Sequence, residues 1–217
     1  MDWLTWQLAD SAFPTGGFAH SWGLEAAWLS GEIATPAALD GFIRDTLWQT
    51  GRALLPFVNA AHCDPNRLAH LDGFCDAFLA NAVANRASRI QGRSLVATCS
   101  RVWPGRPLAD LETQVRGLCG HLGPASGAAY RLLDVSLPVA QRLTLFSALR
   151  GVSAAAVRLG IIGSYQAQSL QHGCAAELDA VLRSCAGLGE ADVAHTAPLL
   201  DLLQSAHDRL YSHLFQS

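Results

Sequence analysis

PVAQRLTLFSALRGVSAAAVRLG, running from Pro138 to Gly160, is the stretch on which the fold turns. Val139, Leu143, Phe146, Leu149 and Val157 recur at helical spacing, which puts them on one face and predicts them as core. Ala154 to Ala156 are small enough to let a neighbouring helix approach closely. Pro138, with Ser136 just before it, suits a helix's first turn, where the missing N–H costs nothing. From Leu145 to Gly163 the chain is nearly apolar, but Arg150 and Arg158 interrupt it, so a buried bundle helix is expected and not a membrane span.

Working outward, the same texture holds along the chain. Strand-like alternation is scarce, β-branched residues are few, and Ala and Leu dominate segments punctuated by Pro and Gly. Thr35-Pro36 and Asp64-Pro65 repeat the pattern of a capping side chain followed by a first-turn proline. Helices are predicted at 2–10, 19–30, 36–61, 65–81, 83–102, 108–119, 125–132, 138–160, 164–186 and 198–212. No composition break divides the chain, and the stiff loop Trp103 to Pro107 and the supple Gly187-Leu188-Gly189 are too short to separate domains. The expected fold class is therefore all-α: one domain over 1–217, a single compact helical bundle with an apolar C-terminal tail.

Composition removes several classes of function. All fifteen basic side chains are Arg, so no lysine Schiff base and no phosphate-loop lysine can form. A net charge of −3 with interspersed signs argues against nucleic acid or an anionic membrane as partner. The six cysteines are scattered without a C-x-x-C pair and read as reduced core residues. The acidic N-terminal stretch MDWLTWQLAD lacks the pattern of a signal peptide, so a cytoplasmic location is expected.

The most demanding stretch is FPTGGFAHSWGLEAAW, Phe13 to Trp28. Ala19-His20-Ser21-Trp22-Gly23 looks like a nucleophile elbow, but no strand feeds it, and Gly16-Gly17 lacks the strand and lysine of a phosphate loop. What remains is a geometric role: a type I turn with Pro14 second and Gly16 fourth, then a positive φ at Gly17. Phe18, Trp22 and Trp28 bring aromatic bulk to it, with core the favoured reading of each and a partner surface the other.

Spacing places no two of the eight histidines at i, i+4 as helical ligands, so no preformed metal site is predicted, and His20, His121 and His172 read as hydrogen-bonded structural residues. Arg86, Arg89 and Arg93 share a helix face, either solvated or meeting acids. Gly92 within that helix costs about 1 kcal/mol relative to Ala, which points to something packing closely there.

Four blocks, QLADSAFPTGGFAHSWGLEAA (Gln7 to Ala27), RASRIQGRSL (Arg86 to Leu95), GVSAAAVRLGIIG (Gly151 to Gly163) and HDRLYSHLFQS (His207 to Ser217), together resemble the UreF family of urease accessory proteins, in the family's order. The resemblance implies an all-α, non-enzymatic chaperone that forms dimers, binds UreD (also called UreH), and brings the GTPase UreG to apo-urease during assembly of the nickel centre. It implies no cofactor of the chain's own, with nickel handled by the complex. The family's first motif falls on Pro14, Gly16, Phe18, His20, Ser21, Gly23, Leu24 and Glu25, with Gly17 inside it and His20 and Glu25 as its expected polar contacts. The tail, 205–217, carries over at His207, Leu210, Tyr211, Ser212, Leu214, Phe215 and Ser217, and in the family it orders against UreD/UreH. Here Asp208, His213 and Gln216 depart from the usual tail, and His213 replaces a planar, permanently charged Arg. Arg86, Arg89 and Arg93 complete the expected partner-binding set. The alternative reading is a helical small-molecule-binding protein or hydrolase with a pocket near His20 and Ser21.

Overall fold

The computed structural model describes residues 3–211 and 214–216. Among them all regular structure is helical, and no helix is long and apolar enough to cross a membrane. Short α1 (Trp3–Ala9) and α2 (Leu24–Leu29) flank the demanding loop. They are followed by α3 (Pro36–Gln49), α4 (Leu55–Cys63), α5 (Leu68–Phe78), α6 (Ala82–Val102), α7 (Leu108–Arg116) and α8 (Leu122–Leu132). The long α9 (Leu137–Arg158), α10 (Ser164–Gly173), α11 (Ala175–Cys185) and α12 (Pro198–Ala206) complete the order.

Capping explains several boundaries. The Thr35 side chain accepts the Ala38 N–H at 3.2 Å with Pro36 behind it, and Asp64 accepts the Asn66 N–H at 3.1 Å. Ser136 precedes α9 but makes no side-chain cap. Asn81, not singled out by the sequence, accepts from the Val83 and Ala84 N–H groups and starts α6. The predicted 36–61 helix runs without a break but passes through one π turn, Thr50–Leu54. The cause sits just beyond it: Pro56 has no N–H and would crowd the carbonyl of Arg52, and the wide turn frees that carbonyl to accept from Ala194 N–H at 3.2 Å. The predicted 164–186 helix breaks at Cys174, beside the poor helix former Gly173. The predicted 19–30 helix begins only at Leu24, and the 198–212 helix gives way to a 3₁₀ turn at His207–Arg209.

Buried apolar residues form three clusters. The first joins α6, α7 and α8 to Leu8, Phe13 and the start of α9 through Ala140 and Leu143. The second gathers α2, α3, α11 and the rest of α9, with Leu145, Leu149, Val152 and Ala156 at its centre. The third is Phe57, Ala61, Leu71 and Cys75 between α4 and α5. Thus α9 spans two cores, while α8 lies against both α4 and α6. The α4–α8 approach is tight enough that a methyl group on Gly127 would sit 2.4 Å from the Val58 carbonyl oxygen.

Not every predicted core residue is inside. Leu143 and Leu149 are buried and Val139 and Val157 are half-buried, but Phe146 is exposed, with the Arg150 guanidinium 5.9 Å from its ring centre. Three of the six unpaired cysteines, Cys75, Cys99 and Cys185, are core, and burial pushes the Cys99 thiol up to about 12. Cys63 is exposed at the end of α4, which corrects its reading as core.

Candidate functional site

The loop between α1 and α2 is held from beneath by α6. The Pro14 carbonyl accepts hydrogen bonds from Ser94 Oγ at 3.0 Å and Thr98 Oγ1 at 2.9 Å, two hydroxyls one helical turn apart. Around Pro14 the chain makes a tighter turn than predicted, with Thr15 N–H donating to the Phe13 carbonyl at 2.8 Å, the three-residue γ-turn pattern. The positive φ falls at Gly16 (+78°) and Gly23 (+85°), and not at Gly17, which opens a 3₁₀ turn through Ala19. Trp22 is itself left-handed at φ +60°, a strained setting for a bulky residue. Its indole nitrogen lies against Gly151 of α9, and the backbone of Gln204 in α12 crosses directly over Gly23. Phe18 (67 % exposed) and Trp28 (38 %) are at the surface and Trp22 is half-buried, so the core expectation fails for the first two.

His20, Ser21 and Glu25 are all buried. Ser21 is wholly inaccessible, so the hydrolase alternative finds no serine open to substrate there. Burial first, then the nearby His207 and Arg86, pushes the His20 imidazole down to about 4, so it is neutral at pH 7. Expected as surface contacts, His20 and Glu25 instead face inward, and the Glu25 carboxylate is spent on the chain's own tail. Its Oε1 accepts the Leu214 N–H at 2.6 Å, its Oε2 accepts the Phe215 N–H at 3.2 Å, and His207 Nε2 lies 3.3 Å from Oε2. Gln216 N–H donates to the Ala19 carbonyl at 2.7 Å, and Phe215 is buried at 3 % exposure.

Arg158, the last residue of α9, closes the arrangement. Its guanidinium carbon stands 4.0 Å from the centre of the Phe18 ring and 4.1 Å from that of Phe215. It donates to the Phe18 carbonyl at 2.5 Å and to the Leu214 carbonyl at 3.5 Å. Arg86 pairs with Asp208 at 2.7 Å and so ties the tail turn to α6. Arg89 instead pairs with Asp76 on α5, and Arg93 donates to the Leu118 carbonyl at 2.9 Å. The three arginines of one face therefore serve three different elements. Gly92 between them is where the chain's own loop packs, for a methyl there would meet the Gly120 carbonyl oxygen at 2.3 Å.

The predicted site residues thus sort into one assembled surface and some separate ones. Phe18, His20, Gly23 and Glu25 meet His207, Leu214 and Phe215 directly or through Arg158 and Gln204, while Pro14, Gly16 and Gly17 rest on Ser94, Thr98 and Gln91 of α6, Leu210 is half-buried and Tyr211 is fully exposed. Ser212, His213 and Ser217 lie outside the described residues. Behind the loop is a cleft of about 520 Å3 lined by Phe13, Gly16, Trp22, Gln91, Tyr130 and Arg158. The sequence reading missed Arg158, met there only as an interruption of an apolar run, and missed the cluster of Asp76, Cys119 and His121, whose donor atoms lie within 4.8 Å of one another.

Exposed Phe18 and Leu214, bridged by Arg158 on a frame in which two distant segments lock together, define a helical protein that presents a composite apolar surface. Comparison with known proteins supplies the family. The family profile described as UreF matches residues 33–175. A urease accessory protein F from Arabidopsis thaliana is 38% identical over 100% of this chain and 93% of its own length. Its counterpart from Oryza sativa subsp. indica is 37% identical over 98% of this chain and 84% of its own. A urease accessory protein UreF from Mycobacterium sp. (strain JLS) is 30% identical over 97% and 96%. The chain belongs to the UreF family of urease accessory proteins.

Proposed function

We propose that this chain is a non-enzymatic assembly chaperone for the nickel centre of urease. It acts in the cytoplasm as a homodimer, binds UreD/UreH, and brings UreG to apo-urease, with nickel as the cargo of the complex. Binding free energy does the work: a surface that prefers one nucleotide state of UreG couples nickel release to GTP hydrolysis. The observation that carries this reading is the composite surface, in which the tail is held against the first loop by Glu25 and Arg158 while Phe18 and Leu214 face solvent. Apolar side chains on so firmly built a frame suit a partner interface.

The test is co-expression with UreD/UreH and UreG, followed by size-exclusion chromatography. The variants are a chain ending at Gln204 and the exposed-residue substitutions Phe18→Glu and Leu214→Asp. Because Phe215 is part of the core, the point variants carry the decision and the truncation only supports it. Wild type is expected to co-elute with UreD/UreH, and the point variants to lose UreD/UreH or UreG while melting like wild type. Co-elution of both point variants with both partners, or no binding by wild type under any salt or nucleotide condition, overturns the reading.

A further inference from the structure

Where α5, α6 and the loop into α8 meet, three side chains converge that belong to no part of the surface above. The Cys119-Gly120-His121 backbone is fixed by the buried Asp72, whose carboxylate accepts three successive N–H groups: Cys119 at 2.8 Å, Gly120 at 3.2 Å and His121 at 2.7 Å. This holds the Cys119 thiol and the His121 ring on one side of α5, beside Asp76. His121 is fully buried, whereas Asp76 and Cys119 are partly exposed, so the cluster has a path to solvent.

We infer that Asp76, Cys119 and His121 form a binding site for a borderline divalent cation of the zinc, cobalt and nickel class. His121 Nε2 and Asp76 Oδ1 stand 3.1 Å apart. Two ligands on a tetrahedral ion at zinc-like bond lengths lie about 3.3 Å apart, so the pair needs only a small movement to share an ion. Cys119 supplies the third donor and a water molecule the fourth, the open arrangement of three protein ligands. The mixed imidazole, thiolate and carboxylate set selects against magnesium and calcium, which take oxygen donors.

The surroundings are those of a supported site. His121 Nδ1 is 3.1 Å from Ser88 Oγ, so the ring can donate there and leave Nε2 free for the ion. Asn85 donates to Asp76 Oδ1 at 3.0 Å and Arg89 bonds the same oxygen, holding the carboxylate in place. Charge favours occupancy too. Asp72 and Asp76 against Arg89 leave one net negative charge, loss of the Cys119 thiol proton to solvent makes it two, and a divalent cation cancels both. The rival is a network without metal, in which His121 Nε2–H simply donates to Asp76. The inference stands apart from the proposed function, since it needs neither a partner nor urease.

The test uses the full chain stripped of metal with a chelator and titrated with Co2+, then with Zn2+ as competitor. Expected is saturation at one Co2+ per chain, with a thiolate-to-cobalt charge-transfer band and the strong visible bands of four-coordination, both removed by Zn2+. Cys119→Ser abolishes the charge-transfer band, and Asp76→Asn weakens binding about tenfold or more. Cys63→Ser, which changes the exposed cysteine beside His62, leaves the signal intact. As a second readout that needs no variant, bound Zn2+ protects Cys119 from alkylation, followed by mass spectrometry. Absence of a saturable thiolate band, a band that survives in Cys119→Ser or vanishes in Cys63→Ser, or unchanged alkylation of Cys119 overturns the site.

Discussion

Replacing Glu25 by Gln tests the joint between tail and first loop with almost no change of volume. In the folded chain its buried carboxylate receives the Leu214 and Phe215 N–H groups at 2.6 Å and 3.2 Å and faces His207 Nε2 at 3.3 Å. A hydrogen bond to a charged acceptor contributes about 1.5–3 kcal/mol, and a buried donor left without an acceptor costs about 1–3 kcal/mol. Glutamine keeps one oxygen and turns the other position into an NH2 group aimed at a donor. One charge-assisted bond is lost and one clash of donors appears, so the closed tail should lose about 3 kcal/mol relative to an open one. That corresponds to about a hundredfold in the opening equilibrium. Amide hydrogen exchange at Leu214 and Phe215 reads it directly: rates should rise about a hundredfold, while amides in α4 and α8 keep theirs. Exchange at those two amides within about threefold of wild type would refute the account of Glu25 as the tail's anchor.

Arg158→Ala removes a cation stacked on two rings, with about 1–2 kcal/mol expected from the two contacts together, so Phe215 exchange should rise about tenfold; Arg158→Lys, lacking the planar head, should recover little of it. Gly92→Ala improves helix propensity by about 1 kcal/mol but sets a methyl 2.3 Å from the Gly120 carbonyl, so urea unfolding should show a net loss of about 2 kcal/mol or more, and a gain would contradict the close approach. His20, with its folded pKa near 4 against an ordinary 6.5, is protonated first in the unfolded chain. Its contribution is therefore complete above about pH 6.5 and lost as the pH falls toward 4, of order 3 kcal/mol in all. Urea midpoints of wild type and His20→Asn should converge over that window, and parallel profiles would refute the assignment.

The helices were legible where one face carried the signal. Leu143 and Leu149 stand on a repeating face and are buried, and Thr35-Pro36 marks its helix start because capping is a matter of adjacent residues. Phe146 shares the spacing of its neighbours yet lies outside, because a periodic pattern cannot tell a face's centre from its edge. The first loop announced itself through its proline, glycines and aromatics, but its partner did not: Glu25 and His207 are 182 positions apart, and no local pattern encodes such a meeting. Asp76 and His121, 45 apart, escaped for the same reason. Arg158 was conspicuous as a charge in an apolar run, but its purpose rests on two aromatic rings that only the folded chain brings to it.

The π turn at Thr50–Leu54 makes the length of this segment matter as much as its composition. Before it, α3 contributes Leu39, Ile43 and Leu47 to one core; beyond it, α4 contributes Phe57 and Ala61 to another. An extra residue in a helix turns everything downstream by about 100°, so the wide turn sets the phase at which Phe57 and Ala61 meet their own cluster, while Leu55 just beyond it still joins the core of α3. Evolution can exchange side chains here at modest cost, but a one-residue deletion would swing Phe57 out of its cluster. Aligned relatives should accordingly show substitutions in this stretch and very few gaps.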